Sequence, residues 1–142
     1  MADVSGKTWM EIGETDDPNA IIESFEAAAA ITKGDPVYLS ADDKVSTSPG
    51  GDEAIGIAMK TVPSGKPCPV LARGRVKVKA AGAITRGKAV CSAAGGKVTQ
   101  LVDQAVNEGG TATYTIYYNR KLGTALETTT VADDLLFIYV DK

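Results

Sequence analysis

The stretch RGRVKVK, residues 73–79, carries a cation at every second position, with glycine or valine between the cations. Side chains alternate between the two faces of a β-strand, so a period of two sends all the cations to one face and both valines to the other. The cations of this basic strand are Arg73, Arg75, Lys77 and Lys79. The stretch therefore predicts a half-buried strand with one basic face.

Charge is polarised along the chain, although the formal net charge is only −3. Residues 54–102 contain nine Lys or Arg residues and no Asp or Glu, whereas residues 1–30 contain seven acidic residues and one cation, Lys7. A second acidic set begins at Asp103. The basic strand thus lies in a basic segment that acidic segments flank on both sides.

Length and composition predict one β-rich domain. The chain has 142 residues, enough for a single hydrophobic core, and its 15 glycines and two phenylalanines are typical of short strands and tight turns. No run of about 18 apolar residues is present to span a membrane, and the polar N-terminus MADVSGKTWM is unlike a secretion signal. Cys68 and Cys91 are expected to be free, partly buried thiols.

The residue types nominate no catalytic or metal-binding constellation. The chain has no histidine, which removes the commonest general base and metal ligand, and two cysteines cannot by themselves form a structural zinc site. The acidic pairs at 16–17, 42–43 and 133–134 are expected to be turn residues, because neighbours on a strand point to opposite faces. We therefore expect no metal, no cofactor and no enzymatic activity.

An internal repeat organises most of the chain. ITKGDPVYLSADDKVST, which begins at Ile31, aligns without gaps to ITRGKAVCSAAGGKVTQ, which begins at Ile84. Further along, IGIAMKTV at Ile55 matches LGTALETT at Leu122, and each leads into an apolar strand. The same order of short strands and turns is therefore expected twice.

The repeat defines a first unit at about residues 31–79 and a second unit at about 84–141, inside a single β domain at 21–142. The second unit carries an insert at residues 101–120. Aromatic and apolar side chains alternate with threonine in part of this insert, so it is expected to form an added strand or a projecting hairpin.

Four glycines of the repeat are expected to be structural. Gly34 and Gly87 precede predicted strands in Thr-Lys-Gly and Thr-Arg-Gly turns, where a positive φ is required. Gly56 and Gly123 lie inside strand patterns, which predicts a bulge or a close backbone approach rather than ligand binding.

The segment before the first unit has two interpretations. DDPNAIIESFEAAAA, residues 16–30, has the start signals and the apolar spacing of a helix. The corresponding stretch before the second unit, RVKVKAAGA, has the pattern of a strand, and a duplicated unit should reuse its element order. We therefore favour a strand at residues 21–30.

Residues 1–20 are expected to form an extended N-terminal arm. Trp9, Met10 and Ile12 are spaced among polar residues, so the arm could add a strand to an exposed sheet edge or to a neighbouring subunit. The alternative is a disordered tail. The single tryptophan favours the interface, because large aromatic side chains tend to anchor interfaces.

The order of these motifs resembles the bacteriophage capsid cement proteins, also called head decoration proteins. The resemblance covers about residues 28–141 and depends on a G-D-x-V strand start, an I-G-V-A strand, a G-x-V-x-V strand that leads into A-G-x-x-x-x-G, and a second G-x-A strand. The matching residues are Gly34, Asp35 and Val37, then Ile55, Gly56 and Ala58, then Gly74, Val76 and Val78, and finally Gly123 and Ala125. The insert, the acidic arm and Lys88, where Asp is favoured, depart from the pattern.

The resemblance implies a small β-barrel-like or β-tulip domain that assembles as a homotrimer. Its partners would be its own copies and the major capsid protein, and its location would be the virion, on the outer surface of an icosahedral head at threefold positions, after synthesis in the host cytoplasm. Its task would be to hold coat subunits together against the pressure of packaged DNA. Such a task needs no catalysis, cofactor, membrane or direct contact with nucleic acid.

The basic strand then has three interpretations. A solvated basic face is ordinary on an antiparallel sheet. A groove for single-stranded nucleic acid would need interleaved aromatic residues, and residues 54–102 contain no Tyr or Trp. An interface would bring the cations to the acidic arm of a neighbouring subunit or to an acidic surface of the shell, and this is the hypothesis that we carry forward.

Two rival functions belong to other classes. A carbohydrate- or cell-surface-binding module would need an exposed aromatic platform, although packing within the insert is the expected role of its tyrosines. The candidates for that platform are Tyr114, Tyr117 and Tyr118. A small enzyme would have to use polar groups near the repeated turns, and nothing beyond their presence supports it. Those groups are Lys60, Lys66 and Asp35.

Overall fold

The chain forms an all-β structure, which confirms the predicted fold class. The computed structural model describes residues 3, 5, 7, 9–102, 104–108, 111–115 and 120–141, with the backbone alone described for 104–108 and 111–115. These residues contain eleven β-strands and no α-helix. In chain order the strands are β1 (Ile21–Ala27), β2 (Pro36–Ala41), β3 (Lys44–Thr47), β4 (Gly56–Ala58), β5 (Pro67–Lys79), β6 (Ala89–Ala93), β7 (Lys97–Gln100), β8 (Gln104–Glu108), β9 (Thr111–Thr115), β10 (Gly123–Ala125) and β11 (Leu135–Asp141).

The 13-residue strand β5 takes part in two rings of strands. Its first half, residues 67–73, pairs antiparallel with β1, and β1 also pairs in parallel with β3. Because β3 pairs with β2, β2 with β4 and β4 with β5, these five strands close into a first ring.

The second half of β5, residues 73–79, forms one wall of a second ring. It pairs antiparallel with β11, and the sheet continues through β10 and β6 to β7. A parallel bridge between Ala80 and Val98 brings β7 back beside the end of β5, and Ala81 N donates a hydrogen bond to Val98 O at 2.7 Å. The strand order of the second ring therefore copies that of the first ring.

Each ring contributes its own hydrophobic cluster. The larger cluster comes mainly from the second ring but also contains Ile57 and Leu71 of the first ring, so apolar contact joins the two rings. The buried members of the smaller cluster all belong to the first unit or to the strand before it. They are Ala27, Ile31, Val37, Val45, Ala58, Val62, Cys68 and Val70.

The turns that precede β2 and β6 make the same backbone contacts in both units. Gly34 has a φ of +93° and donates its N–H to Ala58 O at 2.8 Å. Gly87 has a φ of +83° and donates its N–H to Ala125 O at 2.7 Å. Because a positive φ costs glycine little, both turns can enter their strands without strain.

One exchange of side chains distinguishes the two turns. In the first unit, the Asp35 carboxylate accepts a hydrogen bond from Thr32 N at 3.2 Å. Lys88 stands at the equivalent position of the second unit, where it has no acceptor to offer. There, Thr85 N instead donates to Gln100 Oε1, which lies 3.0 Å away. The departure from the repeat at Lys88 is therefore compensated by a side chain of β7.

Residues 21–27 form the strand that the element order of the repeat predicted, and not the helix that the local pattern favoured. This strand, β1, pairs with β5 over residues 21–26 and with β3 at Glu26 and Ala27, so hydrogen bonds within the sheet satisfy the backbone groups that face those strands. Pairing with two neighbours thus overrides a helical sequence pattern.

The insert contains an antiparallel pair, β8 and β9, that forms a separate two-stranded sheet. This pairing is the one expected of a hairpin. Residues 116–119 lie outside the described part of the chain, and so does part of the predicted alternation of side chains.

Cys68 and Cys91 are free and buried, which confirms the prediction for the two thiols. Burial raises the pKa of both thiols. Because the thiolate is the reactive form of cysteine, both side chains are expected to behave as small apolar residues at neutral pH.

Replacement of Gly56 or Gly123 with alanine should destabilise the fold. A Cβ atom on Gly56 would lie 2.3 Å from Leu71 O, and one on Gly123 would lie 2.1 Å from Tyr139 O. Both acceptors are backbone atoms of a paired strand and cannot move aside cheaply. We expect each variant to lose about 1–3 kcal/mol of unfolding free energy in urea titrations.

Gly82→Ala is the matched control, because a Cβ atom there would have no other atom within 4 Å. Its unfolding free energy should stay within about 0.5 kcal/mol of the wild-type value. Equal losses at Gly82 and at the two strand positions would show that close backbone approach is not the cause.

Candidate interaction surface

The basic strand has the predicted alternation, but its basic face is not uniformly exposed. The two valines of the stretch are buried. Among the cations, Arg73 is exposed, Arg75 and Lys79 are partly exposed, and Lys77 is 0% exposed. The interpretation of this face as a solvated one is therefore wrong at Lys77, because another part of the chain covers that side chain.

Strand β11 places aromatic side chains beside the cations. Phe137 lies opposite Lys77 in the sheet, and Tyr139 lies opposite Arg75. Lys77 Nζ is 5.5 Å from the centroid of the Phe137 ring, and Arg75 Cζ is 5.8 Å from the same centroid, both within the range of cation–π attraction. Tyr139 is 37% exposed. Aromatic and cationic side chains therefore share one face of the second ring.

Sequence reasoning missed these two aromatic residues. It searched for aromatics within the basic segment, whereas Phe137 and Tyr139 come from the strand that closes the sheet beside it. The sequence signal was the apolar run LLFIYVD, residues 135–141, which is typical of a strand and which the structure shows as β11. The partner of the run could not be read from the pattern.

The buried Lys77 ammonium is bound by the N-terminal arm. Lys77 Nζ donates hydrogen bonds to Asp3 Oδ2 at 2.6 Å and to the backbone oxygen of Lys7 at 2.7 Å. Ser5 donates to the other Asp3 oxygen through N at 3.0 Å and Oγ at 2.6 Å. A buried charge is tolerated when it is paired and hydrogen-bonded, and the arm meets that requirement here.

The electrostatics of Asp3 follow from the same contacts. Partial burial raises the pKa of this carboxyl group, but hydrogen bonds from Lys77 and Ser5 and the charge of Lys77 lower it by more. The pKa of Asp3 therefore lies below its ordinary value, and the carboxyl group is ionised at neutral pH.

The arm also satisfies backbone groups of the basic strand. Gly13 N donates to Lys77 O at 2.8 Å, and Lys77 N donates to Glu14 O at 3.3 Å. Asp3 forms a parallel bridge with Leu135 of β11. The arm residues that make these contacts therefore lie against the sheet of the same chain and do not extend away from the domain.

A second acidic residue of the arm lies beside the exposed end of the basic face. Asp16 forms salt bridges with Arg75, whose Nε is 3.8 Å away, and with Lys7. The hydrogen bond from Lys7 is the largest influence on the pKa of Asp16, which is lowered. The acidic arm and the basic strand thus meet within one chain, whereas the hypothesis placed the cations against the arm of a neighbouring subunit or against the shell.

The three arm residues proposed for an interface have different environments. Ile12 packs on the first-unit turn, since a Cβ atom on Gly34 would lie 1.9 Å from Ile12 Cγ2. Met10 is partly exposed, and Trp9 is 75% exposed. Ile12 is therefore used inside the chain, whereas the Trp9 side chain stays available to a partner.

The rival sites gain no support from the described residues. No group of three or more His, Cys, Asp or Glu residues among them could hold a metal ion. Asp35, a candidate for the enzyme hypothesis, uses its carboxylate to hold its own turn. Tyr117 and Tyr118 lie outside the described residues, and Tyr114 is described by its backbone alone.

In the described part of the chain, no helix has the length and apolarity that crossing a membrane would require.

Comparison with known proteins places these features in context. The family model described as phage cement protein matches residues 50–141, which is more than half of the chain. The N base of head fiber gp8.5 in bacteriophage phi29 has a similar crystal structure, with a TM-score of 0.56 and 13% sequence identity over 86% of this chain and 94% of that one. At this identity the likeness concerns the fold. No curated protein sequence matches the chain significantly.

Removal of the Asp3 carboxylate should cost more stability than removal of the Lys77 charge. Asp3→Asn leaves a buried ammonium without its counter-ion, and we expect a loss of about 1–3 kcal/mol of unfolding free energy. Lys77→Met keeps the apolar stem and removes the charge, so its loss should be smaller. The double variant should be no less stable than Lys77→Met alone, which a double-mutant cycle of urea titrations would measure.

The contribution of Asp3 should also depend on pH. Because the pKa of the folded-state carboxyl is lowered, its stabilisation is complete above the unfolded-state pKa of about 4 and is lost as the pH falls through the folded-state value. The stability difference between wild type and Asp3→Asn should therefore be constant from about pH 5 to pH 8 and should shrink at lower pH. A difference that grows on acidification would contradict the ion pair.

Proposed function

The chain belongs to the phage cement protein family and is a structural component of the phage capsid, and from this we propose that it is a trimeric cement on the outer surface of an icosahedral head. In this proposal, three copies sit at each threefold position and hold neighbouring coat subunits together against the pressure of packaged DNA. The family match over residues 50–141 carries the proposal. The family is one of structural proteins, and the proposed task makes and breaks no covalent bond.

Trimerisation would give weak contacts a strong effect. A single small contact patch binds weakly, but three linked patches that engage three coat subunits raise the effective concentration of each. The resulting avidity can exceed the affinity of one patch by about 10² to 10⁴. A cement protein of this kind therefore does not need a large apolar interface on each copy.

The exposed part of the basic face supports a role in docking. Arg73 is exposed, Arg75 is partly exposed opposite Tyr139 in the sheet, and Lys79 is partly exposed further along the strand, so this face offers cations and an aromatic side chain. Such a surface fits an acidic patch on the shell, where charge complementarity orients the partners and speeds their encounter. Lys77 is withdrawn from this surface because the arm binds it.

Charge reversal on the exposed part of the basic face should weaken docking. We expect Arg73→Glu/Lys79→Glu to lower the amount of protein that cosediments with expanded coat-protein shells by about tenfold at low salt. The effect should diminish as salt rises, because added ions screen exposed charges. The measurement is a binding isotherm at about 50 mM and about 500 mM salt.

Lys60→Glu/Lys66→Glu is the matched control, because it makes the same change in net charge at two exposed lysines outside this face. It should bind shells like the wild type. Equal losses in both double variants would show that net charge matters and the basic face does not.

The trimer and its place on the shell require separate measurements. Sedimentation equilibrium of the free protein tests whether three copies assemble before docking. Quantitative mass spectrometry of purified particles against the major coat protein tests occupancy, and a copy ratio near one is expected. Absence of the chain from particles would refute the cement role.

A further inference from the structure

The turn at the start of the first unit is a docking site that the chain's own arm occupies. Lys33 Nζ lies 3.6 Å from a carboxylate oxygen of Glu11 and 3.4 Å from one of Glu14. Between these acidic residues, Ile12 packs on Gly34, which is buried. In the occupied site, the cation of the turn thus meets two carboxylates of the arm, and the glycine of the turn contacts an apolar side chain of the arm.

An apolar residue extends this first site. Met59 lines one cleft together with Trp9 and Met10 of the arm. The arm segment that fills the site therefore presents two apolar residues, then an acidic residue, an apolar residue, a glycine and an acidic residue. Its chemistry is complementary to a cation, a glycine and a thioether on the sheet.

The second unit contains the same site without an occupant from the described part of the chain. Arg86 corresponds to Lys33. Its backbone N–H donates to Thr128 Oγ1 at 3.1 Å, as that of Lys33 donates to Thr61 Oγ1 at 2.9 Å. Gly87 corresponds to Gly34, yet a Cβ atom on it would have no other atom within 4 Å. Leu126 corresponds to Met59 and is 41% exposed. The second turn therefore has the same backbone conformation as the first, and no described residue covers its glycine or Leu126.

The turn of the second site carries more positive charge than the turn of the first, although Glu127 stands where the first unit has Lys60. Lys88 stands where the first unit has Asp35, so two exposed residues that flank Gly87 in one turn, Arg86 and Lys88, carry positive charge. Neither forms an ion pair with a residue that the structure describes. The nearby Glu127 directs one carboxylate oxygen to Phe137 N at 2.6 Å. The site therefore favours an acidic ligand.

We propose that the turn at residues 85–88, together with Leu126, binds an extended segment of a partner protein in which an apolar residue lies between carboxylates. The arm of the same chain shows the chemistry of this ligand, because Glu11, Ile12 and Glu14 fill the equivalent site. The arm of a second copy is a poorer occupant, since that arm is already engaged on its own first unit. The identification of the partner as the coat protein rests on the proposed function.

The occupied first site supplies a probe for the test. A synthetic peptide with the sequence WMEIGETD, residues 9–16, is titrated into the full-length ¹⁵N-labelled protein and amide shifts are followed by NMR. We expect saturable shifts at residues 85–88 and at Leu126, with a Kd on the order of 1 mM. The peptide WMQIGQTD, which lacks the two flanking carboxylates, should bind at least about fivefold more weakly.

Variants of the protein complete this test. Arg86→Glu/Lys88→Glu should abolish the shifts at the second site, and Lys60→Glu/Lys66→Glu should retain them. Shifts confined to residues 32–35 would mean that the peptide merely exchanges with the arm, and would overturn the proposal. Absence of shifts at about 5 mM peptide, several times the expected Kd, would also overturn it.

Two further measurements separate the possible occupants. If the partner is the shell, Arg86→Glu/Lys88→Glu should lower cosedimentation with coat-protein shells at least about fivefold and leave the sedimentation of the free protein unchanged. A loss of self-association instead would identify a second copy as the occupant and overturn the proposal. Failure of the wild type to bind shells would refute the proposed function, whereas the peptide titration tests the site without shells.

Discussion

The sharing of β5 between two rings is the constraint on which the rest of the structure depends. The strand pairs with β1 and β4 up to Arg73 and with β11 from Arg73 onward. At the changeover, Gly74 has a φ of +134°, and a Cβ atom there would lie 3.0 Å from Ala20 Cβ, so glycine is favoured by conformation and by space. Beyond the end of β1, no strand pairs with the Lys77 N–H and C=O on the edge of β5 that β1 occupied. The arm supplies their hydrogen-bond partners, Glu14 O and Gly13 N.

The sequence predicted the individual strands of this arrangement. Alternation in residues 73–79 predicted a strand with the valines buried, and the repeat predicted that residues 21–27 would pair as a strand against their helical pattern. It could not show which strands become neighbours. Phe137 comes to the basic face through a pairing of distant segments, and Lys77 is covered by Asp3, which belongs to the N-terminal arm. Periodicity reports which face a side chain takes and says nothing of what arrives to cover that face.

Polar contacts, together with the packing of Ile12 on Gly34, hold the arm in place. Lys77 is fully buried against Asp3, and Asp16 and Glu14 reach cations of the sheet, while Trp9 remains 75% exposed. A buried ion pair adds less net stability than its charges suggest, because both must be desolvated, but it penalises any arrangement that leaves one of them alone. The arm is therefore fixed in position at little cost in apolar surface. Its largest aromatic side chain is left for contact outside the chain.

Duplication separates what the fold requires from what each unit contacts. Both units keep a glycine in the turn before β2 or β6 and a glycine in β4 or β10. The first glycine of each pair has a positive φ, and the second lies too close to a neighbouring backbone for a side chain. Where Lys88 replaces Asp35, the turn keeps its hydrogen bond, because Gln100 supplies the acceptor that the change removes. A charge reversal that the fold absorbs so locally contributes nothing to the fold itself. Its consequence lies at the surface, where one unit receives the acidic arm and the other presents Arg86 and Lys88, which form no ion pair with any residue that the structure describes.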